Sequence, residues 1–408
     1  MVFLKSLDII HKESVKHKAF YLLVFLLILS IVLLFIENQD RFLSSDYWQR
    51  YPSLKTLYYD SQYANPNFTV VITDENADSF AGGALITGTN PVLVLADTPP
   101  LGKYLIGLSA LLFNNENIFV LLSGIGSLIM LYLIGMQIFN SRILAIISPL
   151  ILSFEPIFRN QFRYVPLFDL FQLFFLLLSF YFFNKGVIKF KRVLIKRILF
   201  YFALANIFLG CFISIKFFVT GITIVAADYS VLFFNRFQKR LVAFTATLPL
   251  AVIVLFLSYS RILAFGYSLR SFFGIQKYVY LYHKSQLILP LSVWPLILFN
   301  KWYVWFGPQS VISDPQWIIT WPIITILSIL TTIFYLFGKI QKNREVEILM
   351  AWSVFYLLFL SIGQISSRYL IILLPILYVV SLYGIIKTMP SGLILLRHII
   401  HKFSGGVR

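Results

Sequence analysis

Residues Ala19–Ile36, AFYLLVFLLILSIVLLFI, are eighteen consecutive residues without a charge. A helix needs ~20 predominantly apolar residues to cross a ~30 Å hydrocarbon core, so this run is read as a membrane span. Lys5, Lys12, Lys16 and Lys18 precede it, with His11 and His17 among them. No small-residue cleavage site follows, so the run is expected to be a retained anchor, with a cytoplasmic N-terminus. The run does not alternate every second residue, as an outer-membrane barrel strand does.

The rest of the chain repeats the pattern. Of its 408 residues, 59 % are hydrophobic, 18 % aromatic and only 12 % charged, whereas soluble domains carry roughly a quarter charged residues. That composition excludes a soluble domain and a disordered chain. The single cysteine, Cys211, excludes a disulfide framework. Further apolar segments lie at 118–139, 143–154, 167–183, 198–215, 217–234, 241–259, 317–338, 348–363 and 369–386, giving ten predicted spans with the first. The expectation is an all-α polytopic membrane protein, one domain over residues 1–408, with both termini cytoplasmic and the plasma membrane of a prokaryote as its place.

A net charge of +17 also occurs in nucleic-acid-binding chains, but here the basic residues lie between apolar runs. On the ten-span count, 21 of the 34 Lys+Arg fall inside and 12 of the 17 Asp+Glu outside, as the positive-inside rule requires. No nucleic-acid partner is expected; the lipid bilayer is. Two segments test the count. Ile143–Phe154 is short for a span, yet without it the basic loop at 185–197 would lie outside. Ser285–Asn300 is apolar but is read as interfacial or re-entrant. The tail at 391–402 (SGLILLRHIIHK) reads as a basic amphipathic helix on the cytoplasmic surface. Two outer loops are long, about 37–117 and 260–316, and loops of that size are usually functional. Residues 37–73 can be read either as a surface helix or as a loop that grips an acceptor.

The first outer loop carries Thr73-Asp74-Glu75-Asn76-Ala77-Asp78, the glycines Gly82, Gly83 and Gly88, and then Ala96-Asp97-Thr98-Pro99-Pro100-Leu101-Gly102-Lys103-Tyr104-Leu105-Ile106. Taken alone, Asp74-Glu75-Asn76 also suits a turn or a helix N-cap. Glu155, Arg159 and Arg163 suit a helical ion-pair ladder. Lys216 and Arg368 suit snorkelling interfacial anchors, and His283 and Trp294 suit structural packing. Asp228 lies within an apolar span, where an ionisable residue hints at function. There is no Cys/His cluster at zinc spacing and no phosphate-binding P-loop, so ATP is not the energy source.

The acidic pair followed by PPLGKYLI resembles the start of the protein O-mannosyltransferases and their bacterial aminoarabinose-transferase-like relatives, membrane glycosyltransferases of the GT-C superfamily. Thr98 stands where that family has His. Glu155…Arg163…Asp169 is similar to the family's E…QSR…LD segment. Leu209–Phe217 resembles GLAxSxKW, and Gln276–His283 with Trp294-Pro295 resembles Q..M..YH and WP. The segments run in order and fall on one side of the membrane.

The resemblance implies a donor of the polyprenyl-phosphate-sugar kind, mannose foremost, and an acceptor hydroxyl on protein Ser/Thr or on a glycan or lipid. It implies Asp74 as general base, with Glu75 orienting the acceptor. Arg163, Lys216 and Arg368 become candidates for the departing phosphate. Asp97, Lys103, Asp169, Gln276, His283 and Trp294 are loop or acceptor candidates. It implies no metal cofactor, although first-loop carboxylates are ligands of the kind Mg²⁺ or Mn²⁺ takes and other GT-C branches use one. The rival readings are a flippase for lipid-linked sugars and a structural scaffold.

Overall fold

The protein is described here from a computed structural model covering residues 2–187, 195–285, 289–304, 310–363 and 365–388. The tail helix expected at 391–402 and part of the basic loop at 185–197 lie outside the described residues.

The helices follow the chain as α1 (Val2–Glu37), α2 (Gln39–Phe42), α3 (Tyr47–Tyr59), α4 (Asp74–Ile86), α5 (Leu101–Phe113), α6 (Ile118–Phe139), α7 (Arg142–Phe154), α8 (Pro156–Arg163) and α9 (Asp169–Val187). They continue as α10 (Ile195–Ile213), α11 (Gly221–Phe234), α12 (Gln238–Thr247), α13 (Pro249–Ser258), α14 (Leu269–Ser285), α15 (Val293–Phe299), α16 (Thr320–Leu336), α17 (Arg344–Ile362) and α18 (Leu374–Thr388). Each of the ten predicted spans falls on helix. Among the described residues, six stretches are long and apolar enough to cross on their own: His17–Glu37, α6, α9, α10, Gln238–Ser258 and α17. Helices Phe218–Phe234, α16 and α18 are apolar but shorter. The chain is therefore an integral multi-pass membrane protein.

The short span read at 143–154 is half of a bent element. Pro156 opens α8 and has no N–H to continue the helix, and its ring drives the residue before it out of the helical region. Glu155 is accordingly extended, at φ −62° and ψ 127°, and α8 leaves α7 at 56°. This overturns the ion-pair ladder. Glu155 is not on the helix face of Arg159 but turns inward, only 1 % exposed, and accepts a hydrogen bond from Tyr378 Oη. Arg159 pairs with Glu37 instead.

A main core joins the spanning helices: α9 lies between α6 and α10, α11 packs on α17, and α16 on α18. The first span touches the bundle chiefly through α7, where Ser30 Oγ donates to the Ser153 carbonyl at 3.1 Å. Only 11 % of its apolar window is buried, so most of it faces lipid. The stretch 37–117 is not a loose loop. Helices α3, α4 and α5 form a second core around Tyr47, Leu54, Tyr58, Phe80, Leu85 and Ala110.

The α4–α5 crossing depends on glycine. A Cβ placed on Gly107 would lie 2.2 Å from the Gly82 carbonyl oxygen, and one placed on Gly82 2.9 Å from Gly107 N. Backbone cannot yield as a side chain can. Gly107→Ala is expected to cost about 2 kcal/mol through overpacking and to lower the thermal midpoint of the purified protein. An unchanged midpoint would show that the two helices can part freely.

In the second outer loop, Trp302–Tyr303 pairs antiparallel with Val311–Ile312, a small exception to the all-helical reading. The apolar segment read as interfacial contains α15, whose seven residues cannot span a bilayer. Trp294 Nε1 ties it to Ser361 Oγ at 3.0 Å.

Candidate functional site

Asp74 opens α4, with Glu75 beside it, where negative charge complements the helix N-terminus. Asp169 opens α9 in the same way. Lys216 follows the end of α10, and Arg368 lies in the short 3-10 turn Ser367–Ile372 that leads into α18. Four separate elements therefore deliver these side chains to one place.

They form a charge chain. Arg368 Nη1 donates to Asp74 Oδ2 at 2.8 Å, and its Nε lies 3.4 Å from Asp169 Oδ2. Lys216 Nζ donates to Asp169 Oδ1 and sits 4.9 Å from the centre of the Tyr369 ring. Tyr63 Oη donates to Asp74 Oδ1 at 2.6 Å. The side chain of Asp169 is only 3 % exposed, whereas that of Asp74 is 46 % exposed. Asp169 is thus the inner counter-ion of two cations, and Asp74 is open to a ligand. Partial burial works to raise the Asp74 pKa, but Arg368, the Tyr63 hydrogen bond and Lys216 outweigh it and hold the carboxyl below its usual range. Asp78, one turn further along α4, is driven the other way by burial and by the charge of Asp74.

Two kinds of space flank this chain. On one side is an apolar cavity of about 340 Å³ bounded by Gln172, Lys216, Phe217, His283, Tyr356 and Tyr369. His283 Nε2 donates to the Asp97 carbonyl at 3.2 Å, and its ring centre lies 4.4 Å from that of Phe217. Burial lowers its pKa below the usual value, which favours the neutral ring. On the other side are two polar cavities of about 570 and 630 Å³ that share Asp40, Arg41 and Arg163. Glu75, Asn76 and Ser79 line the nearer of them.

The structure thus brings Asp74, Asp169, Lys216 and Arg368 together and sets Arg163 apart from them, with Glu75 in the polar space. Lys103 is fully buried and lines none of these three cavities. Its ammonium donates to the carbonyls of Val94, Leu95 and Thr98 and so fastens the turn that carries Asp97. Gln276 lies beside Tyr259, away from the cavity, and Trp294 is spent on packing. Among the described residues no group of three or more His, Cys, Asp or Glu could hold a metal.

Sequence reading missed Tyr63, Tyr356, Tyr369 and Asp78. With 23 tyrosines in the chain, no single one stands out. Asp78 was findable: it stands four residues after Asp74, on the same face once the segment is read as helix.

Residues 117–284 match the family model described as dolichyl-phosphate-mannose-protein mannosyltransferase. That stretch includes three of the segments whose sequence resembles the protein O-mannosyltransferases. Among solved structures, the chain is similar to ArnT from Cupriavidus metallidurans bound to undecaprenyl phosphate. The TM-score is 0.58 at 14 % identity, over 84 % of this chain and 60 % of that one. The chain shares the fold of ArnT. ArnT from the same organism in the apo state gives a TM-score of 0.53 at 13 % identity, over 85 % of this chain and 60 % of that one. The chain therefore spans about 60 % of the length of the ArnT structures it matches. A comparison with curated proteins finds no significant match.

Proposed function

We propose that the chain is an inverting glycosyltransferase that moves a sugar, mannose foremost, from a polyprenyl phosphate to an acceptor hydroxyl on the outer face of the membrane. The observation that carries this is the chain Asp74–Arg368–Asp169–Lys216 at the edge of an apolar cavity. The match to the mannosyltransferase family model and the likeness to a structure with bound undecaprenyl phosphate support it.

In this reading the donor's lipid lies along the apolar cavity and its phosphate sits by Lys216 and Arg368. Arginine suits a phosphate through its fixed fork of N–H donors. The acceptor approaches through the polar space beside Glu75 and Arg163. Asp74 takes the hydroxyl proton as the acceptor oxygen bonds to the anomeric carbon. The bond from that carbon to the phosphate oxygen breaks, and its electrons leave with the polyprenyl phosphate. Lys216 and Arg368 offset the charge that develops there. Protein Ser/Thr is the acceptor class proposed first, and no metal enters the scheme.

The test is transfer by the detergent-purified protein supplied with polyprenyl-phosphate-mannose, a Ser/Thr-rich peptide and EDTA. The expected result is a mannosylated peptide with inverted anomeric configuration. Lack of transfer from every polyprenyl-phosphate sugar tried, together with movement of lipid-linked sugar across proteoliposomes, would overturn the enzyme reading in favour of a flippase.

A further inference from the structure

Helices α11, α17 and α18 run away from the Asp74 site, and a further polar cavity lies at their far ends. It encloses about 460 Å³ and is bounded by Asn235, Lys342, Arg344, Glu345, Glu347 and Lys387, with Gln341, Asn343 and Tyr383. Two of its three cations are held by neutral groups. Lys387 Nζ donates to Gln341 Oε1 at 2.9 Å and lies 6.0 Å from the Tyr383 ring centre. The Arg344 guanidinium sits 5.0 Å over the Phe237 ring. Among the described residues, none of Lys342, Arg344 and Lys387 makes an ion pair.

The two carboxylates in the cavity offset only part of these charges and pair with none of the cations. Glu347 is engaged on both oxygens, by Tyr335 Oη at 2.6 Å and by Asn235 Nδ2. Glu345 lies in the first turn of α17, where the helix N-terminus already favours it. Three cations therefore face two carboxylates with which none of them pairs, and the lining keeps an excess of one positive charge. The site lies where spanning helices leave the bilayer, on the face that the charge distribution assigns to the cytoplasm.

We propose that this cavity binds the phosphate head group of an anionic phospholipid from the leaflet on that face. Basic pockets between spanning helices suit such head groups, each nearby Lys or Arg strengthening attraction to an anionic surface. The cavity is a binding site separate from the Asp74 cluster and does not depend on the transfer reaction. Free phosphate has the same charge chemistry but no acyl chains to lie along α11 and α18, so the two sources can be told apart.

The experiment uses the full chain in maltoside micelles with added phosphatidylglycerol, phosphatidylcholine or inorganic phosphate. Thermal midpoints are read for wild type and for the triple variant Lys342→Gln, Arg344→Gln, Lys387→Gln. Phosphatidylglycerol is expected to raise the wild-type midpoint by about 3 °C or more, as a ligand of the folded state does, and to leave the triple variant unmoved. An equal rise with phosphatidylcholine, or a rise retained in the triple variant, would overturn the site. An equal rise with inorganic phosphate would overturn the lipid and leave a soluble anion as its ligand.

Discussion

Asp74→Asn is expected to lower the rate of sugar transfer roughly 10²–10⁴-fold, the range a positioned general base supplies, while leaving donor binding nearly intact. Asparagine keeps the shape of the side chain and, with its amide oxygen turned to one side, still accepts from Arg368 or Tyr63. What it loses is the capacity to take a proton. Wild-type activity should fall on the acid side only as pH drops below the ordinary carboxylate range, because Arg368 and Tyr63 keep Asp74 ionised there. A depressed pKa also makes Asp74 a weak base in the free protein. Donor phosphate would share the charge of Arg368 and Lys216 and so return basicity to Asp74 when the acceptor arrives. Single-turnover rates and donor affinity, measured side by side, check this. Equal turnover by the variant and wild type would remove Asp74 from the chemistry.

The membrane architecture was legible because its cause is local. A run without charge must be helical to satisfy its backbone in lipid, and Ala19–Ile36 or Ile118–Phe139 says so without reference to the rest of the chain. The bend at Glu155–Pro156 was legible in principle from the proline, but the burial of Glu155 was not, since its partner Tyr378 is 223 residues away. Asp74, Asp169, Lys216 and Arg368 were each singled out in the sequence. Their union in one ion chain was not, because it depends on where α4, α9, α10 and α18 end relative to one another. Arg163 illustrates the limit. Residue type and sidedness made it a phosphate candidate like Lys216, yet α8 departs from α7 at 56° and carries it into the polar space with Glu75. Lys103, within the PPLGKYLI stretch, is absorbed by three carbonyls of the preceding loop. A motif fixes a residue type at a position and does not fix which groups compete for it.

Arg368→Met is expected to fail differently from Asp74→Asn, and the contrast separates base from phosphate ligand. Arg368 touches both carboxylates of the chain, Asp74 at 2.8 Å and Asp169 at 3.4 Å. Methionine keeps much of the length and apolar bulk but none of the charge. Loss of one such charge from a preorganised site costs roughly 10²–10³ in rate, about 3–4 kcal/mol, and here donor affinity should fall with it. Fold stability should survive, because Lys216 still neutralises the buried Asp169. Without Arg368 the strongest influence lowering the Asp74 pKa disappears, so the acid limb of the pH–rate profile should move upward, opposite in direction to any effect of a stronger cation. Arg368→Lys should restore charge but only part of the rate, since an ammonium is a point charge and cannot offer the planar fork that meets two carboxylates at once. Titration of donor binding and a pH–rate profile on the three proteins read all of this. An acid limb that stays in place in Arg368→Met would mean that Asp74 is not the group whose ionisation the rate follows.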